Sequence, residues 1–430
     1  MFNDEIISFR NNLEVIKGFI DFLEPVLLDK IKEDLTKDSE DLIALRLLFN
    51  EMDLDNDSEF KLTEEAKQKI KENFDGDIII ESSEDSEGYS LSVSGNGGDR
   101  FDKAMSNLGK LNQQKMLLYK STLMNIISTV ECFLGDVLRV YFNEYKNEIS
   151  PALILKKDKQ FTMDELESFD TVEDAKTFII DSKLENIIRS SFQDWIDFLK
   201  EKLHLSMGYL NDEIDKLTEI FQRRNIIVHN KGIVNSIYLS KVSDKYSKDV
   251  KKGEPIFLDR EYLESAIDSL ELNFTLIAFE LWKTKRKDDD TRFKLLSDII
   301  DDNLVKVNWK KVKGYSIFLG NDACCSLWFK MYSKINNWLS YKRMGYFDEI
   351  KGKVLAEDFS ACTLDFQICQ QALLNNNEKV FELMKHGLEN NAINFESIEA
   401  WPVFEEFRED ELYEQLKELF KLQTFETKNH

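Results

Sequence analysis

A single run of this chain joins a fixed cation to a titratable base: Phe221-Gln222-Arg223-Arg224-Asn225-Ile226-Ile227-Val228-His229-Asn230, followed at once by Lys231-Gly232. Arginine keeps its charge and presents a fork that fits phosphate oxygens, while histidine, with an ordinary pKa of about 6.5, transfers protons near neutrality. Cleaving an RNA phosphodiester through its own 2′-hydroxyl needs those two groups, a base for the hydroxyl and a cation for the phosphate charge, and needs no metal. On a helix, residues four apart share a face, so Asn225 and His229 lie together. A step of five turns by about 140°, which the long Arg224 side chain can span, whereas Arg223 sits about 120° from His229. Arg224 is therefore the expected catalytic cation. The competing reading of the same residues is a pair of surface ion pairs and a histidine that caps a helix end.

A helix must hold this run. Asn211-Asp212-Glu213 opens one and Gly232 closes it, over about 209–231, after helices near 163–168, 172–180 and 183–204. A lysine-rich stretch from Lys241 to Lys252 follows, then a helix from about Arg260 to Lys285. Residues 221–256 carry eight basic side chains, Arg223, Arg224, Lys231, Lys241, Lys245, Lys248, Lys251 and Lys252, against three acids. Such a segment can meet RNA phosphate or can be a solvated loop. Upstream, Phe101 to about Ile149 has a helical pattern that ends at Ser150-Pro151. Within it Ser121, Asn125, Ser128, Glu131, Gly135 and Arg139 recur at three- and four-residue steps, drawing a polar or small stripe that faces either solvent or a cleft.

The flanks are helical too. With only 4 Pro and 16 Gly in 430 residues, few helices need breaking, and the class is expected to be mainly α over about three units. In residues 1–100, Ile6, Phe9, Leu13, Ile16, Phe19, Ile20 and Leu23 fall at helical spacing, and Asp77–Glu81 with Tyr89–Val93 form a small β-hairpin. Gly95-Asn96-Gly97-Gly98 lacks a following Lys-Ser/Thr and is taken as a hinge between domains rather than a phosphate loop. Asp53 to Glu64 sets acids at positions one, three, five and twelve of a calcium loop, but Ser58 stands where the sharp turn asks for glycine. An acidic turn with Thr63 or a nearby residue capping the next helix is the other reading. Lys285 to Asp290 has the composition of a linker. In residues 288–430, Leu364–Leu374 and Glu378–Met384 read as short antiparallel helices joined by Asn375-Asn376-Asn377, repeat-like but without a repeat period.

Charge and cysteine usage narrow the classes further. A net charge of −24 argues against general affinity for polyanions or anionic membranes, so any RNA contact must be local. No stretch nears the roughly 18 apolar residues of a membrane span, and the start lacks a basic leader, so a cytoplasmic protein is expected. Five cysteines without a C-x-x-C pair imply reduced thiols rather than a disulfide framework or a metal site.

Arg224-Asn225 followed by His229 matches the R-N-x-x-x-H signature, and the chain here resembles the HEPN superfamily of all-α domains. An apolar helix carrying Glu131, the stretch Phe161 to Leu166, the helix through Trp195 and Gly232-Ile233-Val234-Asn235 extend the resemblance over roughly residues 101–287. It implies a multi-helix HEPN bundle between an N-terminal region (1–100) and a C-terminal helical domain (288–430). It also implies a metal-independent endoribonuclease, without cofactor, in which two copies pair as a homodimer and each brings Arg224 and His229 to one cleft. By the same resemblance Arg224 stabilises the phosphorane, His229 takes the 2′-hydroxyl proton, Asn225 orients phosphate or histidine, and Glu131 positions Arg224. Such enzymes act in phage defence or toxin-like responses, with a regulatory protein or phage trigger among the partners. A non-catalytic helical module for protein pairing is the alternative.

Overall fold

The computed structural model describes residues 1–37, 43–44, 47–48, 62–82, 89–145, 162, 169–390 and 395–427. These are mainly helical, as the scarcity of Pro and Gly requires. The first part comprises α1 (Asn3–Lys37), α2 (Glu64–Asn73), the hairpin β1 (Ile78–Ser82) and β2 (Tyr89–Val93), and α3 (Gly95–Glu144). The middle comprises α4 (Val172–Ile188), α5 (Phe192–Glu201), α6 (Ile214–His229), α7 (Ser236–Lys241), α8 (Asp244–Ser247) and α9 (Arg260–Lys285). The rest comprises α10 (Thr291–Val305), α11 (Trp309–Gly320), α12 (Leu327–Arg343), α13 (Lys351–Ala356), α14 (Leu364–Leu373), α15 (Asn377–Glu389), α16 (Phe395–Ala400), α17 (Glu405–Arg408) and α18 (Glu411–Thr427). The hairpin pairs antiparallel with Ile78 opposite Val93.

One hydrophobic core runs from Phe2 to Leu416, through all three of the expected segments. Its axis is α9, in which every residue from Ser269 to Trp282 is buried, as befits a helix enclosed by others. Helix α1 lies antiparallel to α3: Phe9 stacks on Phe133 with ring centroids 4.1 Å apart, and Glu24 accepts a hydrogen bond from Tyr119. Arg10 fixes the same helix to the core through Glu271 at 2.9 Å and Asp302 at 2.6 Å, and Lys311 donates to Glu271 at 2.7 Å. The buried carboxylate thus has two cations, the arrangement that offsets desolvation.

Several boundaries differ from the sequence expectation. The glycine run is no hinge: α3 starts at Gly95, and a Cβ at Gly97 would come 2.6 Å from Phe74 Cζ, so the run lets α2 and the hairpin close on the helix start. The charged stretch after Lys285 is a tight turn. Asp289 accepts from Trp282 Nε1 at 2.8 Å, and Arg292 donates to the carbonyls of Arg286 and Asp289. The helices expected at 172–180 and 183–204 are instead divided after Ile188, because Ser191 and Asp194 form a capping box that starts α5. Thr63 does cap α2, accepting from Ala66. The calcium-like residues 53–61 and the expected helix 163–168 lie outside the described residues.

Candidate active site

Helix α6 is fastened along its inner face by Leu217, Ile220 and Phe221, the last stacked on Phe192 at 4.6 Å. Its C-terminus is closed by backbone chemistry. The amides of Asn230 and Gly232 both bond the Ile226 carbonyl at 2.9 Å, with Lys231 (φ +55°) and Gly232 (φ +80°) in the left-handed region. His229 therefore occupies the last helical turn, exposed, at a fixed place. Lys120 of α3 brings its ammonium beside Gly232, a favourable site at the negative end of the helix dipole.

Arg224, Asn225 and His229 open onto one cavity of about 660 Å³, together with Glu131 from α3 and Lys241 from α7. The Arg224 guanidinium is ion-paired with Glu131 and donates to Asn225 Oδ1 at 3.2 Å, while both charged side chains stay about a quarter exposed. Burial holds the Glu131 carboxyl above its ordinary range, with Arg224 pulling the other way. Chemically the cavity offers a cation steered by a carboxylate, an amide and a free-standing imidazole. The polar stripe of α3 resolves into both of its readings: Asn125, Ser128 and Arg139 are exposed, Glu131 faces the cavity, and Gly135 is buried against Ile188 of α4.

Arg223 takes a different part. Its Nε donates to Glu219 at 2.5 Å, its Nη1 to the Phe257 carbonyl at 2.7 Å, and its guanidinium lies over the Tyr262 ring at 4.0 Å. Glu219, fully buried, also accepts from Tyr238 and Tyr262, each at 2.8 Å. Burial, and then the Glu219 charge, push both phenols well up. The expectation that Arg223 meets RNA is thus corrected. The arginine neutralises a buried carboxylate and does not line the cavity.

That network anchors the lysine-rich stretch. Residues 233 and 255 form an antiparallel bridge, and amides of Val234, Gly253 and Ile256 tie the two ends together, so 235–252 is a closed flap based beside α6. Asn235 caps α7 by accepting from Tyr238 N, and buried Tyr238 pins the flap to Glu219. Of the expected lysines, Lys241 reaches the cavity. Lys231, Lys245, Lys248, Lys251 and Lys252 are exposed but do not line it, with Lys245 over the Tyr246 ring and Lys248 near Asp249.

Part of the lining was missed from sequence. Arg189, Ser190 and Ser191, in the turn between α4 and α5, line the cavity. The readable signal was the Ser-x-x-Asp capping box, whose Asp194 accepts from Ser191 N at 2.9 Å and Oγ at 2.6 Å. Those bonds hold the Asp194 carboxyl below its usual range. Among the described residues no three His, Cys, Asp or Glu side chains gather as metal ligands, and no helix is long and apolar enough to cross a membrane. No protein-family model, curated protein or solved structure matches the chain.

Proposed function

We propose that this protein is a metal-independent endoribonuclease of the HEPN type. The observation that carries the reading is the meeting of Glu131, Arg224, Asn225 and His229, from two helices far apart in sequence, in one open cavity with Lys241 at its side. His229 accepts the proton of an RNA 2′-hydroxyl, the 2′-oxygen attacks the adjacent phosphorus, and Arg224 stabilises the phosphorane charge. The P–O5′ bond then breaks, leaving a 2′,3′-cyclic phosphate and a 5′-hydroxyl. One chain supplies one imidazole, and the proton for the leaving oxygen comes from solvent or from the same histidine of a second copy. The setting of phage defence or a toxin-like response follows from the family resemblance alone.

Pairing of two copies has its own support. On α1, Val15, Phe19, Phe22 and Val26 fall on one face and are each more than half exposed. At roughly 150–200 Å² per large apolar side chain, these four expose about 400 Å², about half of a standard interface of roughly 800 Å² per partner. A surface groove shared by Val15, Ser128 and Cys132 leads from the stripe toward a neighbouring groove that includes Ser128 and Glu131.

One observation favours the non-catalytic rival, since the Arg224 charge is already met by Glu131. Labelled RNA incubated in EDTA with wild type, Arg224→Gln and His229→Gln separates the two. The reading expects cyclic-phosphate ends from wild type only; equal cleavage by all three would abolish it. Expression of the same variants in cells, scored for growth arrest, covers an enzyme that needs a trigger.

A further inference from the structure

A second cavity, remote from the RNA chemistry, opens between α11 and α12 and measures about 370 Å³. The helices approach closely there: a Cβ at Gly320 would lie 2.7 Å from Ser333 Oγ. Ser316 and Gly320 on α11 face Lys330, Lys334 and Asn337 on α12, steps of three and four that put each set on one side of its helix. Lys334 is ion-paired with Glu357 at 2.5 Å, while Lys330 meets no counter-charge among the described residues. Two further polar atoms are left without partners. Ser316 is 1 % exposed and its Oγ has no hydrogen bond, and neither has Asn337 Oδ1.

Ser316 Oγ and Asn337 Oδ1 lie on the lining of one cavity beside an ammonium with no salt bridge among the described residues, a set that a ligand carrying its own charge, donors and acceptors would satisfy. The ligand must be anionic to meet Lys330 and must both donate and accept hydrogen bonds. Lysines act as point charges suited to tetrahedral phosphate, whereas a planar carboxylate is better matched by the arginine fork, which is missing from this lining. The volume fits a small molecule and not a polymer. We propose that this cavity binds a small phosphomonoester, with Lys330 on the phosphate and Ser316 and Asn337 on its hydroxyl or amino groups. Ile317 and Met331 supply an apolar wall. The proposal does not depend on the ribonuclease reading.

Isothermal titration of the full chain with inorganic phosphate, ribose 5-phosphate and adenosine 5′-monophosphate tests it, the three probes separating phosphate alone from sugar and base recognition. At least one ester is expected to bind more tightly than inorganic phosphate. Lys330→Glu and the milder Ser316→Ala should each weaken it, the former by about tenfold or more. Arg224→Gln should leave it unchanged, which distinguishes this cavity from the RNA site. Silence from all three probes at millimolar concentration overturns the proposal. So does binding that survives Lys330→Glu in protein with unaltered circular dichroism, or binding lost in Arg224→Gln.

Discussion

Two adjacent arginines should fail in opposite ways. Arg223→Gln leaves Glu219, 2 % exposed, with two tyrosine hydroxyls and no cation. Breaking a buried pair by removing one partner costs ~3–5 kcal/mol, and the retained phenol bonds place this case near ~3 kcal/mol. Loss of the stack on Tyr262 acts in the same direction. Arg224→Gln breaks a pair whose side chains are 23 % and 27 % exposed, in a regime where solvent-screened pairs contribute about 1 kcal/mol or less. Urea unfolding of both variants followed by far-ultraviolet circular dichroism measures the difference, with stability read from the midpoint and slope. The double variant Arg223→Met/Glu219→Gln removes both charges together and should recover part of the loss, because an unpaired buried charge, not the missing contact, dominates the cost. The reasoning is refuted if Arg223→Gln unfolds within about 1 kcal/mol of wild type, or if Arg224→Gln is equally unstable.

Other tests reach the remaining walls of the site. Lys241→Glu should lower affinity for single-stranded RNA and flatten the slope of log K against log salt by about 0.7, measured by fluorescence anisotropy, while Lys252→Glu does less. Phe19→Glu with Phe22→Glu should abolish the proposed pairing of two copies, read by light scattering; because each copy carries −24, added salt should strengthen that pairing in the wild type. Asp194 has a depressed folded pKa, so the stability it contributes is fully present above the unfolded carboxyl pKa and is lost as pH falls through the folded one. The difference in unfolding free energy between wild type and Asp194→Asn should therefore shrink as pH drops below that range, and a difference constant down to strongly acid pH would contradict the capping-box assignment. Glu131→Gln should keep the fold yet alter the proposed RNA cleavage, through a less constrained Arg224.

Much of this molecule could be read directly from residue order, because the relevant physics is local. Scarce Pro and Gly, apolar spacing in α1 and the Asn375 turn define helices through propensity and period. The hairpin follows from its alternating strands, and α9 begins at Arg260 and ends at Lys285 as its pattern requires. Helical rotation alone put Asn225 beside His229. What sequence could not supply was contact between distant elements. That Glu219 gathers Arg223, Tyr238 and Tyr262 and that Val234 pairs with Glu254 to close the flap are outcomes of packing, and the meeting of Glu131 with Arg224 across 93 positions was expected only through the family resemblance. The same holds for the glycine run and the charged turn after Lys285, whose compositions read as flexible while Phe74, Trp282 and Arg292 hold them fast. Residue type fixed which groups could do chemistry; only the burial of one arginine and the exposure of its neighbour decided which of the two faces the cavity.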